Sequence, residues 1–174
     1  GVSKVAAHML VSLYRESYGL FACSGILFNH ESYLRSNDFF IKKVLRESIL
    51  IKNNIQTNLV VGNIEVKRDF GYAPKYVNAM YLMMEQEISE DFLICSGKSI
   101  SLREIILYVF KKLDISNDKL KIKESLYRPS EIMNIYGSSY KANKKLNWKY
   151  NDSFFDILDI LIEEELENFN KDKY

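Results

Sequence analysis

An α/β fold is what the order of patterns along this chain predicts, and three adjacent features carry that expectation. Residues 3–18 place Ala6, Met9, Leu10, Leu13 and Tyr14 at helical spacing. Gly19 then stands as a natural helix stop. Leu20–Phe28 is an almost wholly apolar run, with the length of a strand buried on both faces in a parallel sheet. Helix, glycine and buried strand make the rhythm of an α/β architecture.

Further elements follow in order. Residues 29–38 are polar and irregular and read as a loop. Helical periodicity returns over 39–52, with Asp38 placed to cap it. Leu59–Val61 is a short strand that ends at the turn signal Gly62-Asn63. Pro74 suits the first turn of a helix reaching residue 87, whose inward stripe would be Val77, Met80, Tyr81 and Met84. Phe92–Cys95 is the next strand. Ser101 and Glu104 have capping-box spacing at the start of a helix that should end near Leu113. Leu120–Lys123 is a strand candidate, and residues 139–146 suit a short basic helix. Residues 153–168 form the last helix, with Phe155, Leu158, Ile162 and Leu166 inward. Glu163–Glu165 and the lysines from Lys141 to Lys149 read as solvated faces.

The 174 residues suffice for a domain with its own core, and 47% hydrophobic with 27% charged residues is ordinary globular composition. A formal net charge of +1 argues against nucleic acid or an anionic membrane as partner. No apolar run is long enough to span a bilayer, and the first residues lack a signal-peptide layout. The chain begins without Met, which reads as other than a natural start. Cys23 and Cys95 lie in apolar strand-like runs and are expected to be buried free thiols, with the cytosol as default compartment. Two cysteines are too few for a Cys-rich zinc site.

Chemistry is sparse when the residues are taken singly. There is no Gly-rich phosphate loop, no metal-spaced His or Cys cluster, and no nucleophile–base pair argued from spacing. Gly25–Ser32 leaves an apolar strand and turns polar at once. Ligands of open α/β sheets bind beyond the carboxyl ends of strands, so Asn29, His30 and Glu31 stand where a site would be. Position alone favours a loop with a solvated His.

The text of that segment, Leu27-Phe28-Asn29-His30-Glu31-Ser32, is similar to one that marks GDP-mannose 4,6-dehydratases within the extended short-chain dehydrogenase/reductase family. The resemblance continues in order along nearly the whole chain. Gly1-Val2-Ser3-Lys4 resembles the end of a Tyr-x-x-x-Lys motif. Tyr14–Leu20 resembles the helix-to-strand junction, and Lys42-Lys43 falls where the family has Arg-Lys. Gly62-Asn63 and Lys67–Ala73 resemble Gly-Asn and Arg-Asp-Trp-Gly-x-Ala elements. Tyr127–Glu131 resembles Phe-Arg-Pro-x-Glu, and Lys141-Ala142 with Leu146-Asn147-Trp148 resembles the closing Lys-Ala and Leu-Gly-Trp.

The resemblance implies the C-terminal part of an extended short-chain dehydrogenase Rossmann fold with a smaller mixed α/β substrate-binding lobe. Residues 1–36 and about 72–97 would be the last Rossmann elements, and about 37–71 and 98–174 the sugar-nucleotide-binding lobe. The implied reaction is an internal redox dehydration with NADP, turning GDP-mannose into GDP-4-keto-6-deoxymannose for deoxysugar and surface-polysaccharide synthesis. In it a Tyr removes the C4 hydroxyl proton as hydride leaves C4. A carboxylate takes the C5 proton, water leaves C6, and the hydride returns there. Lys4 is implied as the catalytic lysine, holding the cofactor ribose and favouring tyrosinate through its charge. His30 and Arg35 would also contact NADP. Asn29 would meet the substrate, Lys43, Arg68 and Arg128 would surround the GDP moiety, and Glu131 would accept from its ribose or base.

Some positions depart from the family text. Ser32-Tyr33-Leu34-Arg35-Ser36 replaces Ser-Pro-Arg-Arg-Gly, losing one arginine of a loop that can reach a neighbouring subunit's cofactor. Lys75-Tyr76-Val77 stands for Lys-Asp-Tyr-Val, and Ser138 for the usual Asp. The resemblance also implies that the catalytic tyrosine would immediately precede Gly1, and that an N-terminal Rossmann half carries it with the Gly-rich turn, the Ser/Thr and the Glu. These residues alone are therefore expected to be inactive, and the intact protein to be a homo-oligomer, dimer or tetramer. A related GDP-sugar reductase or epimerase, and a non-catalytic GDP-sugar-binding remnant, stay open as alternatives.

Overall fold

The computed structural model describes residues 1–171. Helix α1 (Val2–Tyr18) ends at Gly19, whose φ of 62° is left-handed and whose N–H donates to the Arg15 carbonyl. Strands β1 (Gly25–Leu27) and β2 (Asn29–Glu31) follow, then helix α2 (Phe40–Lys52), strands β3 (Leu59–Val61) and β4 (Lys67–Tyr72), and helix α3 (Ala73–Met84). Strands β5 (Phe92–Ile94) and β6 (Ser99–Ser101) lead into α4 (Leu102–Leu113). Strands β7 (Leu120–Ile122) and β8 (Asn134–Ile135) precede the helices α5 (Tyr140–Leu146) and α6 (Phe154–Lys171).

Three small sheets organise these strands. β1 pairs β5 in parallel, β3 pairs β7 in parallel, and β4 is shared by β2, β6 and β8. Along β4, Phe70–Tyr72 pair with β2 in parallel, Lys67–Asp69 with β6 antiparallel, and Lys67–Arg68 with β8 in parallel. The larger apolar cluster gathers α2, β3, α4 and α6 around residues such as Val44, Leu59, Ile105, Phe110 and Leu158. The smaller one joins Tyr76, Ala79 and Met83 of α3 to Phe92 and Ile94 of β5, with Ala142, Leu146 and Trp148 closing it. α5 and Trp148 thus pack with α3 and β5.

Local signals held where local chemistry decides. Ser101 and Glu104 form the full capping box, each side chain bonded to the other's backbone N–H. Pro74 sits in the first turn of α3. β3, β5 and β7 lie where the sequence places them. Both cysteines are free thiols, Cys95 fully buried and Cys23 half-buried.

Other expectations are corrected. Leu20–Phe28 is not one strand buried on both faces. Only Gly25–Leu27 is regular, and it pairs with β5 alone among the described residues. The backbone of Phe28 still donates to Ile94, and at Asn29 the partner changes to Phe70. Residues 29–38 are therefore not all loop, since Asn29–Glu31 is a strand. Asp38 does not cap α2; Phe39 occupies that position in extended conformation, with the Arg35 guanidinium 3.5 Å over its ring. The inward face of α3 is Tyr76, Ala79 and Met83, while Val77, Met80, Tyr81 and Met84 are exposed. Both faces of that helix are apolar, so periodicity could not choose between them. Glu165 is not simply solvated, because it forms a largely buried ion pair with Lys42.

Candidate functional site

β2 is the pivot of the site. Successive strand residues point to opposite faces, and its three side chains divide accordingly. Asn29 and Glu31 line one cavity of about 560 Å³, together with Arg35, Arg68, Arg128 and Glu131. His30 lines a second, of about 620 Å³, together with Lys4 and an apolar floor that includes Val5, Val11, Ile26 and Leu27. Both volumes lie in the range of small-molecule sites.

β4 fixes the register of this pivot. His30 pairs with Gly71, and a Cβ on Gly71 would come within 2.5 Å of the Tyr76 ring. The missing side chain lets Tyr76 lie fully buried beneath the strand, its ring 5.2 Å from that of His30. Burial, with Asp69 nearby, pushes the Tyr76 phenol far above its ordinary range. His30 Nδ1 lies 2.8 Å from the Phe28 carbonyl, which can only accept, so Nδ1 carries the proton and Nε2 is left for a ligand.

Asp69 locks the neighbouring turn. Its carboxylate accepts from the Ser96 N–H at 2.8 Å, the Ser96 hydroxyl at 2.7 Å and the Gly97 N–H at 2.9 Å. The Gly137 N–H adds a longer bond at 3.4 Å. With Asp69 held inward, Arg68 points into the 560 Å³ cavity. Its Nη1 donates to the Lys67 and Ile132 carbonyls at 2.8 and 2.7 Å, and Nη2 lies 3.7 Å from Glu131. Arg68 therefore clasps the segment that carries Arg128 and Glu131. Arg128 itself is exposed and has no partner among the described residues.

Glu31, which the sequence places where a site would be, is given no role by the family resemblance. Its side chain is almost fully buried, and burial raises its carboxyl to about 7 despite the opposing charge of Arg35. Strand alternation puts it on the same side as Asn29, which could be read only once Asn29–Glu31 is known to be a strand. Lys43 lies elsewhere: its ammonium donates to the Val60 carbonyl at 2.9 Å and faces Glu47 at 3.8 Å, outside the lining of the 560 Å³ cavity. Among the described residues no cluster of His, Cys, Asp and Glu could hold a metal ion, and no helix is long and apolar enough to cross a membrane.

A family model described as GDP-mannose 4,6 dehydratase matches residues 1–161. The chain belongs to the GDP-mannose 4,6-dehydratase family. It is 38% identical over 172 residues to GDP-mannose 4,6 dehydratase 1 of Arabidopsis thaliana, covering 98% of this chain and 48% of that protein. To the GDP-mannose 4,6 dehydratase of Homo sapiens it is 34% identical over 185 residues, covering 96% and 50%. The chain spans about half the length of these curated relatives, matching their C-terminal half. Among solved structures it is similar to RMD from Pseudomonas aeruginosa complexed with NADPH, with TM-score 0.86, 23% identity, and coverage of 96% of this chain and 56% of that one. It is also similar to dTDP-glucose 4,6-dehydratase from Bacillus anthracis in complex with NAD, with TM-score 0.85, 13% identity, and coverage of 96% and 51%. At these identities the structures establish the fold, a Rossmann-like mixed α/β arrangement, as the sequence of this dehydratase family member predicts.

Proposed function

We propose that this chain supplies the sugar-nucleotide-binding lobe and the last Rossmann elements of an NADP-dependent GDP-mannose 4,6-dehydratase. The observation that carries the reading is the partition made by β2, with an arginine-rich cavity on one face and Lys4 with His30 on the other. In the first cavity Arg68 and Arg128 meet the diphosphate, where planar guanidinium groups suit paired phosphoryl oxygens. Glu131 accepts from the nucleoside, and Asn29 positions the hexose where the two cavities adjoin β2. Lys43 stays outside this contact set, engaged by Val60 and Glu47.

The donor set of the second cavity fits the nicotinamide-ribose end of a dinucleotide. A lysine ammonium and an imidazole Nε2 suit ribose hydroxyls, and the apolar floor suits a flat ring. Such a cofactor supplies reversible hydride acceptance when bound. Lys4 holds the ribose and, by its positive charge, lowers the cost of ionising a neighbouring hydroxyl. His30 keeps its orientation through the Phe28 carbonyl and the Tyr76 ring. Arg35 lies in the substrate-side cavity, stacked on Phe39, and not in the cavity that holds Lys4 and His30.

Apolar residues of α1 and α3, among them Val5, Met9, Leu13, Val77 and Tyr81, are exposed. We propose that a Rossmann half equivalent to the part of the relatives not spanned here covers them and brings the remaining catalytic groups. Titration calorimetry of the chain with GDP and GDP-mannose tests the binding role, with micromolar to millimolar affinity expected and Arg68→Ala or Arg128→Ala each weakening it at least tenfold. Equal, unsaturable heats for wild type and both variants would refute it. Joined to such a half, the chain is expected to convert GDP-mannose to the 4-keto-6-deoxy product with NADP, and alone it is not.

A further inference from the structure

We propose that Glu131 competes with ligand phosphate for Arg68, and so selects nucleoside diphosphates over simple phosphate anions in the 560 Å³ cavity. The proposal rests on the sugar-nucleotide reading above and deepens it, giving the carboxylate two exchangeable partners where that reading gives it one.

A guanidinium has five N–H donors in a fixed fork. On Arg68 both Nη1 donors are taken, by the Lys67 carbonyl at 2.8 Å and the Ile132 carbonyl at 2.7 Å. A phosphate is therefore left with Nε and Nη2, and Glu131 Oε1 faces Nη2 at 3.7 Å. That separation makes an ion pair but is too long for a hydrogen bond, so the carboxylate is drawn to Arg68 without being fixed to it. The two side chains are 18% and 17% exposed, and water screens them less than a pair on open surface. The backbone keeps Glu131 in place. The Ile132 carbonyl is bonded to Arg68, and the Met133 carbonyl accepts from the Lys67 N–H at 2.7 Å. Upstream, Leu126 rests on Gly62, where a Cβ would meet the Leu126 carbonyl at 2.8 Å. Residues 127–130, between these anchors, are exposed. Glu131 can thus turn its carboxylate about its own side chain while the segment stays docked.

Charge then sorts the ligands. An inorganic phosphate that takes the free edge of Arg68 leaves the displaced carboxylate beside a second anion, with no donor to receive it. A nucleoside diphosphate brings its own donor, a ribose hydroxyl or a base N–H, and the carboxylate trades an ion pair for a charge-assisted hydrogen bond. Discrimination of this kind comes from a penalty on the wrong ligand as much as from contacts to the right one.

Calorimetry on wild type and Glu131→Gln with inorganic pyrophosphate, GDP and 2′,3′-dideoxy-GDP tests the idea. The variant is expected to bind pyrophosphate at least threefold more tightly, the size of an ion-pair competitor removed. Its ratio of GDP affinity to pyrophosphate affinity is expected to fall at least tenfold. The dideoxy nucleotide separates the donors. If the carboxylate receives a ribose hydroxyl, the dideoxy-GDP to GDP affinity ratio is low in wild type and rises in the variant. If it receives a base N–H, that ratio is the same in both proteins. Asp38→Asn is the control for charge alone, since Asp38 lines the same cavity and bonds to the Ser36 hydroxyl rather than to Arg68. Its gain in pyrophosphate affinity is expected to be less than half that of Glu131→Gln, and a larger one would overturn the proposal by making the effect a general field. A gain below threefold in Glu131→Gln, or a ratio that falls less than tenfold, would also overturn it, while GDP binding by wild type leaves the function reading standing. Wild type that binds neither GDP nor pyrophosphate would overturn the function reading, and this inference with it.

Discussion

Replacing Glu31 by Gln is expected to stabilise the chain at alkaline pH. Burial raises the Glu31 carboxyl from an ordinary 4.5 to about 7, with Arg35 pulling the other way. The fold therefore favours the neutral acid, and the folded state holds a proton that the unfolded chain releases. The stabilising contribution is complete below about pH 4.5, declines as pH rises through 7, and changes little beyond. The gap from 4.5 to about 7, at about 1.4 kcal/mol per pH unit, comes to about 3 kcal/mol of destabilisation by the ionised group at pH 8. Glutamine imitates the neutral acid in shape and carries no such penalty. Its amide gives up the pairing with Arg35, whose side chain is 26% exposed and keeps its Phe39 contact. Urea unfolding of both proteins at pH 8 and pH 5 should show the variant more stable by about 2–3 kcal/mol at pH 8 and by about 1 kcal/mol at pH 5. A difference independent of pH would refute the reasoning, because it would mean that the carboxylate is not desolvated. A variant less stable than wild type at pH 8 would refute it too, since the Glu31–Arg35 pair would then be a net support.

Asp69→Asn should cost roughly 2–4 kcal/mol, since an amide cannot replace a carboxylate that accepts from Ser96, Gly97 and Gly137; urea midpoints would measure this. Gly71→Ala places a Cβ 2.5 Å from the Tyr76 ring and should cost about 1–3 kcal/mol, with a shift in the His30 imidazole signals by NMR that a remote destabilising change would not produce. Ser101→Ala removes the capping box of α4 and should lower stability by about 1 kcal/mol, leaving GDP affinity unchanged. Asp91→Asn should loosen α1, because Asp91 pairs with Arg15 and accepts from the Ser24 N–H at 2.8 Å; faster amide exchange confined to α1 would report it.

The parts of the fold legible in the sequence are those whose causes lie within a few residues. The Ser101–Glu104 cap, the Gly19 stop and the Pro74 start each depend on one turn of helix, and each is where the pattern puts it. β4 was hidden for the opposite reason. Its text, Lys67-Arg68-Asp69-Phe70-Gly71-Tyr72, begins with three charged residues and contains a glycine, so nothing in it alternates like a half-buried strand. Asp69 is buried at 1% exposure only because turns 27 and 68 residues away supply its donors. The same holds for β2, whose three polar residues look like loop until Phe70–Tyr72 pair with them. In the site, Asn29, Arg68, Arg128 and Glu131 share one cavity, while Lys43 follows α2 away from it. Motif matching could name residue types for a diphosphate, yet it had no access to which face each strand would present.

That limit also bears on how one three-residue strand can serve two cavities. A slip of β2 by one residue against β4 would turn His30 into the arginine-rich cavity and Asn29 and Glu31 toward Lys4, since the side-chain period is two. A strand this short has too few ladder bonds to forbid the slip, so something else must set the register. The Gly71–Tyr76 contact can do so: only at Gly71 is there room for the Tyr76 ring, and only opposite Gly71 does the His30 ring lie against it. The Phe28 carbonyl holds His30 from the other side. Register, and with it the assignment of each side chain to a cavity, rests on an aromatic ring filling the place of a missing Cβ. Substitution at Gly71 should therefore disturb ligands of both cavities together, whereas Glu131→Gln should disturb only those of the arginine-rich one.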